Sequence, residues 1–177
     1  MVTSYTHGLV GLGLGKVFTG RRLPGLFWLL ALVLPILPDV DVFSRAAYGS
    51  TWGHRGFTHS LVFALGLALV AALPTFRYFK ISFWILWSFF FVITATHGVL
   101  DACTKGGEGI PLLWPFYDHR FGPWGPILVS DLGFEWPDPR RSRALRDEML
   151  WVWLPLAVLV GIVMLWRRWR RAATKNP

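Results

Sequence analysis

Residues 81–101 read Ile81-Ser-Phe-Trp-Ile-Leu-Trp-Ser-Phe-Phe-Phe-Val-Ile-Thr-Ala-Thr-His97-Gly-Val-Leu-Asp101, and this stretch decides the fold. Its first twenty residues carry no Asp, Glu, Lys or Arg. About 20 apolar residues in helical conformation cross the hydrocarbon core of a bilayer. The polar residues come late, at Thr94, Thr96 and His97, followed by Asp101. The segment therefore predicts a membrane span that delivers a histidine and an aspartate to one of its ends.

Three further runs read the same way: Leu23–Leu37, His59–Phe76 and Leu150–Trp166. The first is short for a span and needs a thinned bilayer or a shielded position. Val2–Thr19 is apolar but contains Gly8, Gly11, Gly13, Gly15 and Lys16. Such glycine density suits close helix packing in a membrane, or a re-entrant or interfacial helix. The expectation is an all-α, multi-pass transmembrane bundle of four or five spans. It forms a single domain over 1–177, with 101–149 as a surface loop or lid and 167–177 as a basic tail. The lid is rich in Pro, Gly and Trp, and Trp114, Trp124 and Trp136 suit the headgroup region.

Composition agrees. Of 177 residues 54% are hydrophobic and 16% charged, where a soluble domain has about 25% charged residues. The net charge of +8 would suggest nucleic acid in a soluble protein. Here the cations fall in short loops and the tail, where membrane orientation explains them, and no nucleic-acid binding is expected. Arg21 and Arg22, Arg77 and Lys80, and the tail group Arg167, Arg168, Arg170, Arg171 and Lys175 share one side if Val2–Thr19 spans. That side is cytoplasmic by the positive-inside rule. Arg140, Arg141, Arg143 and Arg146 in the long loop weigh weakly the other way. The expected location is the inner (plasma) membrane, without a cleaved signal peptide. A single cysteine, Cys103, excludes an intrachain disulfide and a Cys-rich zinc knuckle.

Ionisable residues at membrane depth are costly and usually functional. In His97-Gly-Val-Leu-Asp101 the i and i+4 positions share a helix face, so both side chains can reach one metal ion or two neighbouring ones. An imidazole–carboxylate hydrogen bond inside a bundle is the other reading. Pro38-Asp39-Val-Asp41 places two acids at the end of an apolar run, as ligands or as a helix-terminating turn. His54-Arg-Gly-Phe-Thr-His59-Ser60 precedes a span. There His59 can ligate, Arg55 can clamp an anion through its bidentate fork, and Thr58 or Ser60 can cap the helix. His7 joins the same end in the five-span arrangement. His119 is a lone loop histidine and a candidate ligand only.

Nitrogen and carboxylate donors without thiolates suit Zn²⁺, and Mn²⁺ less well. The donors outnumber the four a tetrahedral ion needs, so two ions bridged by Asp101 use them better. Such a pair clamps the attacking and leaving oxygens of a phosphoryl displacement.

His7, LPDVD, HRGFTHS, and HGVLD followed by Thr104 and Gly106, with Pro111-Leu-Leu-Trp-Pro-Phe116 and Arg120-Phe121 later, resemble the YdjM-like family of membrane-bound metal-dependent hydrolases. The resemblance runs from His7 to about Gly133. That family is in turn similar to the zinc-dependent phospholipase C and P1 nuclease group, all-helical proteins that bind zinc through His and Asp. The resemblance implies a phospholipase C/P1 nuclease-like core, with metal held by His7, Asp39, His59, His97 and Asp101. The further His and Glu ligands of the soluble enzymes have no match here; only His119, Glu108 and Glu135 are available, at other spacings.

The resulting expectation is a hydrolase of a lipid or lipid-linked phosphodiester, using zinc, most simply two ions. Arg55 binds phosphate, and Asp41 and His54 serve as supporting or general-base groups. Membrane lipids are the expected partners. A metal transporter or sensor, and a structural protein stapled by metal, are the rivals from other classes. The polar residues lie near span ends at one face, the extracytoplasmic one, which favours the enzyme over a transporter.

Overall fold

The computed structural model describes residues 2–44, 46, 49–105, 108–125, 127–128 and 139–174. Gly106, Gly133, Glu135, Trp136 and Lys175 lie outside the described residues, as do the side chains of Arg140 and Arg141. Six α-helices carry the architecture: α1 (Ser4–Phe18), α2 (Gly25–Val33), α3 (Leu61–Phe79), α4 (Phe83–Ala102), α5 (Pro139–Glu148) and α6 (Leu154–Ala173). Thr104–Lys105 and Ile127–Leu128 add one short parallel strand pair.

Among the described residues, three helical stretches are long and apolar enough to cross a membrane: Leu61–Phe79, Phe83–Ala102 and Ser142–Ala173. The third runs through a π-helical turn at Met149–Trp153 that joins α5 to α6. A fourth crossing arises if α2 and the following 3₁₀ turn, Leu37–Phe43, count as one span bent by 49°. The run expected at Leu23–Leu37 is thus broken: α2 stops at Val33, and Pro35 and Pro38 follow, where a missing N–H and a fixed φ oppose regular helix. α1 has 15 residues, short of the roughly 20 that span unaided.

Two regions read as a surface loop or lid and a basic tail contain helix. The segment 101–149 is not irregular throughout, because Pro139–Glu148 is helical. Nor is the basic tail a separate element, since α6 continues through Arg167–Arg171 to Ala173. Period was invisible in both because apolar residues are too few to mark it, Ala144 and Leu145 in the first and Trp169 among four arginines in the second.

The helices run alongside one another. α3 and α4 form an antiparallel hairpin closed by Lys80, which takes the left-handed conformation at the end of α3 (φ 53°). α1 lies against α2, α4 and α6. Gly11 is the reason α1 and α2 approach so closely: a Cβ there would sit 1.9 Å from the carbonyl oxygen of Ala31. Phe27, Phe89, Phe90, Leu86 and Ile93 fill the core between α2, α3 and α4. Consequently the start of α1, the end of α2, the start of α3, the end of α4 and the start of α6 meet at one end of the bundle.

Candidate metal centre

The ends of α2, α3 and α4 supply the polar cluster, and α1 adds His7. Asp39 and Asp41 come from the 3₁₀ turn after α2, His59 from the turn Phe57–His59, and His97 and Asp101 from the last turns of α4. Ser60 accepts a hydrogen bond from the backbone N–H of Phe63 (3.1 Å) and is the cap of α3. Thr58, the alternative cap, instead donates to the Asp41 carboxylate. Gly98 explains the second letter of HGVLD. A Cβ there would lie 2.5 Å from the His59 carbonyl oxygen, so only glycine lets α4 bring His97 and Asp101 against His59.

The geometry could hold a cation. His97 Nε2 lies 3.4 Å from Asp39 Oδ1 and 3.8 Å from Asp101 Oδ2. His59 Nε2 lies 3.5 Å from Asp101 Oδ2 and 4.0 Å from Asp39 Oδ1. These four atoms are buried, and none has a hydrogen-bond partner. Buried polar atoms are normally satisfied, so four that converge without a hydrogen-bond partner could share one cation. A tetrahedral ion bound at about 2.0–2.1 Å holds its donors about 3.3–3.4 Å apart. The observed edges are at that value or slightly wider, and the donor set of two imidazoles and two carboxylates fits a divalent cation.

The remaining atoms of these side chains are held by the protein. The Nδ1–H of His97 donates to the carbonyl oxygen of Pro35 at 2.8 Å, turning Nε2 toward the centre. Ser4 Oγ donates to Asp39 Oδ2 (2.6 Å), and the backbone N–H of Val2 donates to Asp101 Oδ1 (2.9 Å). His59 Nδ1 faces Asp41 Oδ2 at 3.2 Å, and Asp41 Oδ1 pairs with His54 Nδ1 at 2.6 Å. Partners of this kind orient metal-binding side chains and raise their basicity. Burial acts to depress the pKa of His59. The carboxylates of Asp101 and Asp41 beside its two nitrogens outweigh burial and hold it up at about 9.

His7 is fully buried and stacks on His97, with ring centroids 3.9 Å apart. Its Nε2 lies 3.5 Å from Asp101 Oδ1, and both ring nitrogens lack hydrogen-bond partners. It approaches Oδ1 of Asp101, whereas His59 and His97 face Oδ2, so Asp101 is shared between them. His119 is not part of the cluster: it is exposed and stacks on Tyr117 in the aromatic loop.

Arg55 is buried with φ 64°, a region rarely adopted by non-glycine residues and one that concentrates at functional sites. Its guanidinium donates to Thr104 Oγ1 at 3.2 Å, while Nε has no partner. No carboxylate pairs with it among the described residues. Arg120 supports this backbone by donating to the carbonyl oxygens of Arg55 (2.7 Å), Gly49 (2.9 Å) and Gly109 (3.1 Å).

One structural residue escaped the sequence reading. Glu148 is fully buried and accepts from the N–H of Thr3 (2.9 Å) and the hydroxyls of Thr3 (2.5 Å) and Thr6 (2.6 Å). It caps the first turn of α1, three residues before His7. The available signal was an acid immediately before an apolar run, which sequence alone does not separate from a solvated charge.

A helical membrane protein with a buried His/Asp cluster at one bundle end is the class this geometry defines. The chain belongs to the family described as YdjM inner membrane protein, whose profile matches residues 1–171. It is similar to inner membrane protein YbcI of Escherichia coli (strain K12), at 39% identity over 176 residues, covering 97% of this chain and 99% of that protein. No solved structure matches, and the phospholipase C/P1 nuclease-like core expected from resemblance gains no support.

Proposed function

We propose that this protein is a membrane-bound, metal-dependent hydrolase of a phosphate ester, with a lipid or lipid-linked phosphodiester as substrate. The observation that carries the reading is the set of four buried, unpartnered donor atoms on Asp39, His59, His97 and Asp101. They would hold one divalent cation, Zn²⁺ by donor chemistry. His7, on the other oxygen of Asp101, would serve a second. When bound, such cations polarise a phosphoryl oxygen and lower the pKa of water.

The protein's own groups have separable roles. Asp41 holds His59 by its Nδ1, and with His54 it forms a carboxylate–imidazole pair that can accept and release a proton. Arg55 would bind the substrate phosphate, an assignment supported by its unpartnered Nε and by the absence of a paired carboxylate among the described residues. Metal analysis of detergent-purified protein, followed by phosphodiester hydrolysis with and without chelator, tests the reading. Stoichiometric metal and chelator-sensitive turnover are expected. Protein that binds no divalent metal ends it.

A second reading is favoured by one observation. The side chains of His59, His97 and Asp101 are entirely inaccessible, and closed sites are characteristic of structural metals. Bound metal with no turnover on any phosphodiester would support a metal-stapled membrane protein or a sensor.

For topology we propose five spans, with α1 crossing inside the bundle and the metal centre on the extracytoplasmic face. The support is the grouping of Arg21, Arg22, Arg77, Lys80, Arg167 and Arg168 at the opposite helix ends. A reporter fused after Pro177 should be active in the cytoplasm; activity confined to the periplasm would overturn the orientation.

A further inference from the structure

At the end of the bundle away from the metal centre, a cavity of about 290 Å³ opens between the end of α1, the segment 19–22 and the last turns of α6. Lys16, Arg21, Arg22, Arg167, Arg168 and Arg171 line it, and no Asp or Glu does. The sequence has no acidic residue before Asp39 or after Glu148. The cations are therefore not compensated from nearby chain.

Orientation in the membrane accounts for the sign of these charges. It does not require three separate segments to converge on one cavity. Arg167 is spent on structure: it donates to the carbonyl oxygens of Lys16 (2.7 Å), Val17 (2.5 Å) and Thr19 (3.0 Å), cancelling the negative end of α1 that would repel an anion. Arg171 gives one bond to the Gly20 carbonyl oxygen (3.2 Å). Lys16 is steered over the Trp28 ring, 4.5 Å from its centroid. Trp28 and Met164 supply an apolar wall beside the charges. Exposed Trp166 and Trp169 follow on α6, at the level where aromatic rings mark a membrane interface.

We propose that this cavity binds the phosphate headgroup of an anionic phospholipid, with the acyl chains leaving along Met164 and the outer face of α6. Basic pockets between transmembrane helices are suited to such headgroups. The apolar wall and the place where helices leave the bilayer favour a lipid over free phosphate. The site is independent of the metal centre.

The test is thermal unfolding and native mass spectrometry of the purified full chain in neutral detergent. It is titrated with phosphatidylglycerol, phosphatidylcholine or inorganic phosphate. Phosphatidylglycerol should stabilise the protein and remain bound, whereas the other two should do neither. Each arginine removed from the cavity should weaken the apparent affinity roughly fivefold. Arg168→Gln then costs that factor once, and Arg21→Gln with Arg22→Gln costs it twice. Arg77→Gln makes the same charge change outside the cavity and should leave affinity unchanged. Should the double variant not fold, Arg168→Gln against Arg77→Gln still decides. Equal response to phosphatidylcholine, equal weakening by Arg77→Gln, or saturation by inorganic phosphate would each overturn the proposal.

Discussion

The two ends of this bundle are built from the same helices and are electrostatic opposites. At one end, acids and histidines are buried and hold unpaired atoms toward a common centre. At the other, cations stand in partly exposed positions and their fixed partners are backbone carbonyls. Burial makes the difference. A charge at the basic end can always be hydrated, so its arrangement is forgiving. A carboxylate inside the bundle must be neutralised, and the protein uses imidazoles, hydroxyls and, in our proposal, metal to do it.

Metal content should break this comparison most sharply. Asp101→Asn keeps a side-chain oxygen near the Val2 N–H but removes the negative charge shared by His7, His59 and His97. Loss of a supporting partner alone costs 10–100-fold in metal affinity, so loss of this ligand should exceed roughly 100-fold. Arg168→Gln at the basic end should leave metal content unchanged. Elemental analysis of both variants checks this, and retention of full metal by Asp101→Asn would remove Asp101 from the centre.

Arg55 separates ligation from turnover. It cannot bind a cation, since it remains charged and offers donors only. Arg55→Ala should retain metal and lose about 2–4 kcal/mol of transition-state stabilisation on a phosphodiester. Arg55→Lys should recover part of it, because an ammonium lacks the bidentate fork. Metal and rate measured on one preparation decide; loss of metal would make Arg55 a structural residue.

The pH dependence is smaller and has a definite sign. His59 is held at about 9, above its ordinary 6.5. Its proton stabilises the metal-free fold fully below 6.5, and that contribution disappears as pH rises through 9. Metal must displace the same proton. Apparent affinity should therefore climb about tenfold per pH unit between neutrality and pH 9, then level off. Metal titrations across that range check it, and a flat profile would show that His59 does not ligate.

Much of the buried His/Asp cluster was legible because its residues come in short motifs. HGVLD, LPDVD and HRGFTHS each put a chemistry-bearing side chain beside an apolar run, and the bundle brings the run ends together. Three features were hidden for physical reasons. Whether α2 continues into Leu37 depends on how Pro35 and Pro38 are accommodated, which apolar composition does not report. The helix at Pro139–Glu148 is polar and has no apolar stripe to mark its period. The burial of the two outlying histidines was hidden as well, and packing leaves His119 exposed on Tyr117 while His7 is buried on His97.

The remaining effects concern how α1 is held, down to the smallest at Arg167, and they extend the comparison to a single helix. Glu148 accepts three hydrogen bonds at its N-terminal end, and Arg167 donates three at its C-terminal end. Each charge complements the end of the helix dipole it faces. Glu148 is fully buried, so Glu148→Ala strands the Thr3 N–H and leaves the Thr3 and Thr6 hydroxyls only each other and Trp153 as partners, at about 3 kcal/mol. It should also loosen His7, one turn along, and weaken metal binding. The carbonyls served by Arg167 lie at a partly exposed helix end, where water can replace the lost donor. Arg167→Leu should cost only about 1 kcal/mol and leave the metal in place. Thermal unfolding in detergent with metal analysis tests both. A larger loss for Arg167→Leu than for Glu148→Ala would mean that the basic end, not the buried one, governs the position of α1.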